Sequence, residues 1–315
     1  MSQRPQGPTT ELSPAAHPLR RFLRSLLVCV AGLSVLLILV LSALFAKLQP
    51  DFDAYFTLPE ETRVLFVGDS HVGCSLEEQQ PTHGKLWRSS TSPMSSLLRL
   101  RRVEQLGWPK NLKTIVTEFG TQTVVAEHYA VRDWIPARRR ESLLWAWRDP
   151  LAWNYGGRYL LRGMPQLFSL LTDYEMREYP PSTDTPFSEL PAEKIEEALN
   201  YSFISHYPSS LSEGDYLHCW AETQAELLAL KGYCDQRGLR LILISTPTSS
   251  RYRARIPQLW QKRFAEQQAW LRAQGFEYYD YRAAFDDFWF RDSHHLRPSG
   301  TKKFTAFFLK EHGLE

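Results

Sequence analysis

Val64-Leu65-Phe66-Val67-Gly68-Asp69-Ser70-His71 is the stretch that decides the fold. Four apolar residues in a row, bounded by glycine and aspartate, are typical of a buried strand, which we place at 62–67. Ser70 follows this strand directly, so its hydroxyl has a rigid base and remains reachable from solvent. A serine becomes a nucleophile only when a base takes its proton and donors stabilise the oxyanion. Those partners must come from elsewhere in the chain.

Strands and helices alternate along most of the remaining sequence. Strands are predicted at 86–89, 113–119, 239–245 and 276–281, and helices at 93–106, 215–237, 257–273 and 298–310. Strands separated by helices of this length pair in parallel, which predicts an α/β fold, a three-layer sandwich with a mostly parallel sheet, over residues 62–315. Residues 125–215 break the alternation and are interpreted as an insertion, with helices near 139–148 and 191–200.

An apolar segment precedes this domain. Residues 25–46 carry no charge and would form a helix of about 33 Å, enough for a hydrocarbon core of about 30 Å. The alternative is a cleaved signal peptide that releases a secreted lipase. Against it, the run exceeds the roughly 7–15 apolar residues of a signal peptide and ends without a small-x-small site. We therefore predict a transmembrane anchor at 22–46, a disordered tail at 1–21 and a connector at 47–61.

The charges around the apolar segment predict its orientation. Arg20, Arg21 and Arg24 precede it, and acidic residues follow Lys47. By the positive-inside rule the N-terminus is cytoplasmic and the large domain lies outside. In a bacterium this describes a single-pass protein of the inner (cytoplasmic) membrane, with its domain periplasmic or extracellular. The net charge of +2 argues against a dedicated nucleic-acid binder.

Polar residues follow three of the predicted strands, at 68–70, 118–122 and 291–295. Sites in open parallel sheets form outside the carboxyl ends of the strands, so the fold brings these patches together. Asp292 and His295 are three residues apart. A tight loop can therefore hold the carboxylate against one ring nitrogen of His295 while the other nitrogen faces Ser70.

Gly68-Asp69-Ser70, paired with Asp292-Ser-His-His-Leu-Arg-Pro-Ser-Gly-Thr-Lys-Lys-Phe304, resembles the SGNH (GDSL-type) hydrolases. It resembles most their membrane-anchored bacterial branch, which is associated with cell-surface polysaccharide acylation. The resemblance covers residues 62–123 and 215–312, and not the insertion. It implies Ser70 as the nucleophile, His295 as the base and Asp292 as the residue that orients the base.

The resemblance also implies an activity and partners. The activity is ester hydrolysis or O-acyl transfer through an acyl-enzyme, in particular on acetyl esters. The implied partners are an acylated polysaccharide or another acyl ester, and a membrane O-acyltransferase. No cofactor is implied.

The oxyanion side of the site departs from the family pattern. The family uses the backbone N–H of the nucleophile, a glycine from a second block and an asparagine from a third. Here Ser90 and Ser92 stand near the missing glycine, and Gln122 stands near the missing asparagine, so these three are the predicted substitute donors. The departure leaves an alternative open: a catalytically degenerate SGNH-like domain that binds glycan or acts as a scaffold for a membrane acyltransferase.

Several residues near the motifs have two interpretations. Asp69 is predicted to be structural, bonding the amides of its own loop. His71 either lines the substrate pocket or lies on an exposed loop, and His294 is the alternative base. Trp145 and Trp147 either stack on sugar rings or pack the insertion onto the core.

The sequence predicts neither a metal site nor a reactive thiol. Metal ligands are offered by Asp69, His71, Asp292, His294 and His295, but no two have the spacing of a helical ligand pair, so no metal is predicted. Cys74 is interpreted as a small semi-buried residue rather than as a nucleophile. Cys219 and Cys234 share a predicted helix and stand about 22 Å apart, too far for a disulfide.

Overall fold

The computed structural model describes residues 16–87, 92–120, 122–124, 184–207 and 211–315. The chain divides into two units, with the boundary between Phe52 and Asp53, and each is described by itself. The helix predicted near 139–148 lies outside the described residues.

The first helix, α1, spans Ala16–Phe56 and contains the predicted anchor segment. Many of its apolar side chains are exposed, including Leu27, Val28 and Leu33. In the described part of the chain, no helix has both the length and the hydropathy needed to cross a membrane.

Both ends of α1 differ from the sequence-based boundaries. The helix begins at Ala16, inside the segment predicted to be disordered, and ends at Phe56, inside the predicted connector. Pro18 is compatible with this start because it falls in the first turn, where its missing N–H is not needed.

The last turn of α1 is fixed by contacts within the second unit. Phe56 is buried, and Asp53 forms an ion pair with Arg102. The Tyr55 hydroxyl donates to the Trp87 carbonyl at 2.7 Å and accepts from the Trp87 N–H at 2.9 Å. Because Trp87 ends an outer strand of the sheet, these bonds satisfy backbone groups that would otherwise be an open edge.

Five parallel strands form one sheet in the order β2-β1-β3-β4-β5. The strands are β1 (Val64–Gly68), β2 (His83–Trp87), β3 (Thr114–Glu118), β4 (Arg240–Ser245) and β5 (Glu277–Asp280). The three inner strands are buried almost throughout, whereas β5 at one edge is only half-buried. This gradient explains why β1 and β4 read as continuous apolar runs.

In the described part of the chain, the further helices lie between the strands or after the last one. They are α2 (Ser70–Ser75), α3 (Pro93–Gly107), α4 (Ala192–His206), α5 (Glu213–Gln236), α6 (Ser250–Arg255), α7 (Gln258–Ala273) and α8 (Pro298–His312). Parallel crossovers are right-handed, so α2 lies on one face of the sheet and α3, α5 and α7 lie on the other. Contacts of α3 with α5 and of α8 with α2 agree with this arrangement. The α/β architecture predicted from the sequence is therefore confirmed.

Two elements differ from the prediction. The second strand covers His83–Trp87 instead of 86–89, because its first residues, His-Gly-Lys, lack an apolar pattern. Helix α6 was not predicted, since Ser-Arg-Tyr-Arg-Ala-Arg has no apolar face; Ser249 caps it by accepting from the Tyr252 N–H.

The order of the strands fixes where a site forms. From β1 the chain passes to β2 on one side and then to β3 on the other, so the sheet has its topological switch point between β1 and β3. The crevice at the carboxyl ends of these two strands is the usual ligand position in such sheets. Ser70 and Glu118 stand at these ends.

We expect the buried face of β1 to control stability. Leu65 is fully buried, and Leu65→Ala should lower the free energy of unfolding by about 2–5 kcal/mol because it leaves a cavity. The matched control is Leu259→Ala, at a side chain that is 54% exposed. This substitution should change the free energy of unfolding by no more than about 0.5 kcal/mol. Urea unfolding of both variants is the measurement. Equal midpoints would contradict the assignment of β1 as a buried inner strand.

Candidate active site

Ser70 stands at the turn from β1 into α2. Asp69 is the N-cap of α2, and its Oδ1 accepts the His71 N–H at 2.6 Å. The structural role predicted for Asp69 is thereby confirmed. The turn is too tight for a larger residue at Gly68, since a Cβ there would lie 2.7 Å from Val72 Cγ2. The Ser70 side chain is thus held on the first residue of the helix, at the switch point.

Glu118 holds the same turn from the neighbouring strand. Its carboxyl oxygens accept the N–H of Asp69 at 3.2 Å and the N–H of Val72 at 3.2 Å. Burial, and then the negative charge of Asp69, raise the pKa of Glu118 well above its usual range. Burial would also raise the pKa of Asp69, but the charge and hydrogen bonds of His71 and a hydrogen bond from Glu118 lower it. Of the two carboxyl groups, Glu118 is therefore the one that binds a proton more readily.

A short closed loop carries Asp292 and His295. Phe290 and Leu296 form an antiparallel bridge, and the Arg291 N–H donates to the His295 carbonyl at 3.0 Å. Inside the loop, Asp292 Oδ1 accepts the N–H of His295 at 2.8 Å. One carboxylate oxygen therefore shapes the loop and leaves the other for the ring of His295.

His295 connects Asp292 to Ser70. Its Nδ1 lies 2.9 Å from Asp292 Oδ2, and its Nε2 lies 3.1 Å from Ser70 Oγ. An ionised carboxylate only accepts hydrogen bonds, so Nδ1 carries the ring proton and Nε2 offers its lone pair to the serine hydroxyl. This is the geometry by which an imidazole takes a proton from a serine nucleophile.

Asp292 is ionised in this arrangement. Burial would raise its pKa, but the neighbouring rings of His295 and His294 and the hydrogen bonds to them lower it below its usual range. A permanent negative charge behind Nδ1 stabilises the imidazolium that forms when Nε2 takes a proton.

Four histidine rings meet beside Ser70. The centroids of His294 and His295 are 4.0 Å apart, and His71 lies 5.1 Å from His294 and 5.2 Å from His295. His206, at the end of α4, lies 4.7 Å from His294. His71 is buried, so the exposed-loop interpretation of this residue is wrong. His294 is not the base in this arrangement, because Ser70 contacts His295 and, among the described residues, no hydrogen bond joins it to His294.

Burial keeps two of these rings neutral. It lowers the pKa of His206 to about 3, an effect that the neighbouring His71 and His295 rings increase. Burial, and then His295, lower the pKa of His294 well below its usual range.

The predicted oxyanion donors have different positions. Ser92 is the N-cap of α3 and accepts the Ser95 N–H at 3.4 Å, so helix capping explains its presence. The amide of Gln122 lies against Gly120 and has no hydrogen-bond partner among the described residues. Ser90, Trp145 and Trp147 lie outside the described residues.

One amide N–H at the Ser70 turn has no hydrogen-bond acceptor among the described residues. The amides of Asp69, His71 and Val72 are each bonded to a carboxyl oxygen. In the part of the chain that the structure describes, the N–H of Ser70 donates to no acceptor. It is therefore available to an oxyanion formed at Ser70.

Cys74 does not compete with Ser70 as a nucleophile. Its thiol is buried, and burial raises its pKa to about 11 although Arg291 is nearby. Arg291 Nη2 lies 3.1 Å from Cys74 Sγ. The three other cysteines, Cys29, Cys219 and Cys234, also lie in described ranges and are free.

Glu118, His206 and Tyr252 contribute to the site in ways that the sequence did not show. Glu118 belongs to a predicted polar patch, but its hydrogen bonds cross from β3 to the turn after β1. His206 comes from the insertion, and its Nδ1 lies 2.6 Å from the Tyr252 hydroxyl. Such contacts depend on tertiary packing and leave no local pattern.

Comparisons with known proteins gave weak likenesses only. No family model matches the chain, and no curated protein matches it. A GDSL-like lipase from Bacteroides thetaiotaomicron VPI-5482 is similar at a TM-score of 0.39 and 14% identity, covering 85% of this chain and 96% of that one. A putative acylhydrolase from Bacteroides fragilis NCTC 9343 is similar at a TM-score of 0.39 and 11% identity, covering 84% of this chain and 95% of that one.

We expect Glu118 to be essential for the Ser70 turn. Glu118→Ala leaves the buried amides of Asp69 and Val72 unpaired, which costs about 1–3 kcal/mol for each group. Glu118→Gln retains one acceptor oxygen and should lie between the parent and the alanine variant in urea unfolding. An alanine variant as stable as the parent would contradict this role.

Proposed function

We propose that this protein is a serine esterase or O-acyltransferase that acts on acyl esters through Ser70, His295 and Asp292. The observation that supports it is the chain of contacts from Ser70 Oγ to His295 Nε2 at 3.1 Å and from His295 Nδ1 to Asp292 Oδ2 at 2.9 Å. The hydroxyl, the base and the carboxylate thus lie within hydrogen-bonding distance in the order that nucleophilic catalysis requires.

The proposed reaction has two halves. His295 Nε2 takes the Ser70 proton while Ser70 Oγ attacks the ester carbonyl carbon. The tetrahedral oxyanion accepts from the free Ser70 N–H, and Gln122 is the second donor in the proposal. When the intermediate collapses, His295 returns the proton to the leaving alcohol and an acyl-enzyme remains. Water or an acceptor hydroxyl, activated by His295 in turn, then releases the acyl group.

The substrate class belongs to the proposal and rests on the sequence. The paired Gly68–Ser70 and 292–304 motifs resemble a branch associated with cell-surface polysaccharide acylation. We propose acetyl esters of a cell-surface glycan as the substrate. A membrane O-acyltransferase is the proposed protein partner.

A catalytically degenerate domain is the second candidate function. The absence of the family's glycine and asparagine favours it, because removing one oxyanion donor typically lowers the rate by about 10²–10³. Such a domain would bind the glycan or support an acyltransferase without forming an acyl-enzyme.

Ser70→Ala separates the two candidates. The full-length parent should hydrolyse an acetyl ester such as 4-nitrophenyl acetate and bind a serine-directed fluorophosphonate covalently, and the variant should do neither. The matched control is Ser75→Ala on the same helix, since the buried Ser75 hydroxyl has no hydrogen-bond partner. This control should retain both activities.

The outcomes of this experiment differ clearly. Equal turnover and labelling in Ser70→Ala and the parent would exclude Ser70 as the nucleophile. Glycan binding in both proteins, with no acyl-enzyme by mass spectrometry, would favour the degenerate domain.

The proposed location is the bacterial inner membrane, with a cytoplasmic N-terminus and a periplasmic or extracellular domain. It rests on the uncharged run at 25–46 and the arginines before it. In a bacterial host, the full chain should sediment with membranes and retain its N-terminus, whereas a variant lacking residues 1–46 should remain cytoplasmic. Full-length protein in the soluble fraction would contradict the anchor.

A further inference from the structure

Three buried histidines place ring nitrogens close enough to share one ion. One ring nitrogen each from His71, His294 and His295 lies within 4.8 Å of one from each of the other two. All three residues are buried. They come from α2 and from the 290–296 loop, so their contact follows from the fold and not from a sequence motif.

The outer nitrogen of each ring is already occupied. Nδ1 of His71 lies 3.1 Å from Asp69 Oδ1, and Nδ1 of His295 lies 2.9 Å from Asp292 Oδ2. Nδ1 of His294 lies 2.8 Å from the Ser293 hydroxyl. Hydrogen bonds of this kind are the ones that orient metal-binding histidines and set their tautomer.

The inner nitrogens are available. Among the described residues, Nε2 of His71 and Nε2 of His294 form no hydrogen bond, and Nε2 of His295 meets only the Ser70 hydroxyl. A ring nitrogen with a free lone pair is the form that binds a metal.

The dimensions suit a zinc-type ion. Zn–N bonds of about 2.0–2.1 Å put tetrahedral ligand atoms about 3.4 Å apart. The widest nitrogen pair must therefore close by about 1.4 Å, which rotation of the rings can supply. Three imidazoles with carboxylates behind two of them favour zinc or copper over magnesium or calcium, which prefer oxygen ligands.

The geometry points to a divalent transition-metal site formed by Nε2 of His71, His294 and His295, with Ser70 beside its open position. A metal at this site takes the lone pair that His295 offers to Ser70. The serine then keeps its proton and cannot attack an ester. The ion would therefore silence the serine site, and this second part of the inference rests on the proposed function.

Direct binding tests the site without any need for activity. Isothermal titration of the metal-stripped full chain with Zn²⁺ should give one tight site, and Ser70→Ala should bind equally well. His71→Gln and His294→Gln keep a polar side chain of similar size and should each weaken binding by more than about 100-fold, since even outer-shell partners typically contribute 10–100-fold. His218→Ala, at an exposed histidine of α5, should bind like the parent.

Asp69 provides a second test of the metal site, because its carboxylate lies 3.1 Å from Nδ1 of His71. Asp69→Asn still caps α2, because asparagine caps as well as aspartate, but it removes the negative charge behind His71. It should weaken zinc binding by about 10–100-fold with an unchanged circular dichroism spectrum. Zinc binding that none of the His71, His294 and Asp69 variants alters would overturn the site.

Activity then tests the silencing. Stoichiometric Zn²⁺ should abolish ester turnover by the parent, and EDTA should restore it. Full turnover with zinc bound would overturn the silencing while leaving the site in place. Zinc binding by a parent protein without any esterase activity would sink the proposed function and support the metal site alone.

Discussion

Two carboxyl groups from adjacent strands hold the turn between β1 and α2, and the rest of the site depends on that turn. Glu118 bonds the amides on either side of Ser70, and Asp69 bonds the amide of His71. Three of the four successive N–H groups are thus fixed, and only that of Ser70 remains. The serine hydroxyl, the free amide and the His71 ring owe their positions to this pair. Burial and the charge of Asp69 raise the pKa of Glu118, which favours the state of the pair with one buried negative charge rather than two.

The same aspartate turn occurs a second time, near the C-terminal end of the chain. Asp69-Ser-His71 and Asp292-Ser-His294 are the same tripeptide, and in both the aspartate Oδ1 accepts the N–H of the histidine two residues later. One copy begins a helix and the other closes a loop, because Asp292 also accepts the next amide, that of His295. Each turn is stabilised by short-range hydrogen bonds, and the parallel sheet places the two turns next to each other. The contact between Ser70 and His295 depends on this long-range packing.

This division explains what could be predicted from the sequence. The inner strands and the α/β class follow from apolar runs such as Val64–Val67, since burial on both faces leaves a continuous pattern. The proximity of Asp292 and His295 to Ser70 follows from the rule that sites gather at the carboxyl ends of strands. The edge strand β2 is shifted because its first residues, His-Gly-Lys, lack an apolar pattern. Lys85 is half-buried, and its amine donates to the Gly73 carbonyl at 2.6 Å. The role of Glu118 and the position of His206 beside Ser70 could not be predicted from the sequence, because both depend on which segments pack together.

The surplus of imidazoles is the feature that a serine triad does not explain. A triad needs one ring, whereas here the rings of His71 and His294 lie against that of His295, and the ring of His206 lies against those two. Burying a neutral imidazole removes two ring nitrogens from water, and each lost hydrogen bond is unfavourable unless it is replaced. Among the described residues, Nδ1 of His71 and Nδ1 of His294 each have a hydrogen-bond partner, whereas Nε2 of these two rings has none, so two lone pairs beside Ser70 remain open to a ligand. The neutral ring, fixed tautomer and free Nε2 that make His295 a base are also what a metal requires of a ligand. The same local turns therefore position the lone pair of His295 Nε2, which can take either the proton of Ser70 or a cation that His71 and His294 also bind.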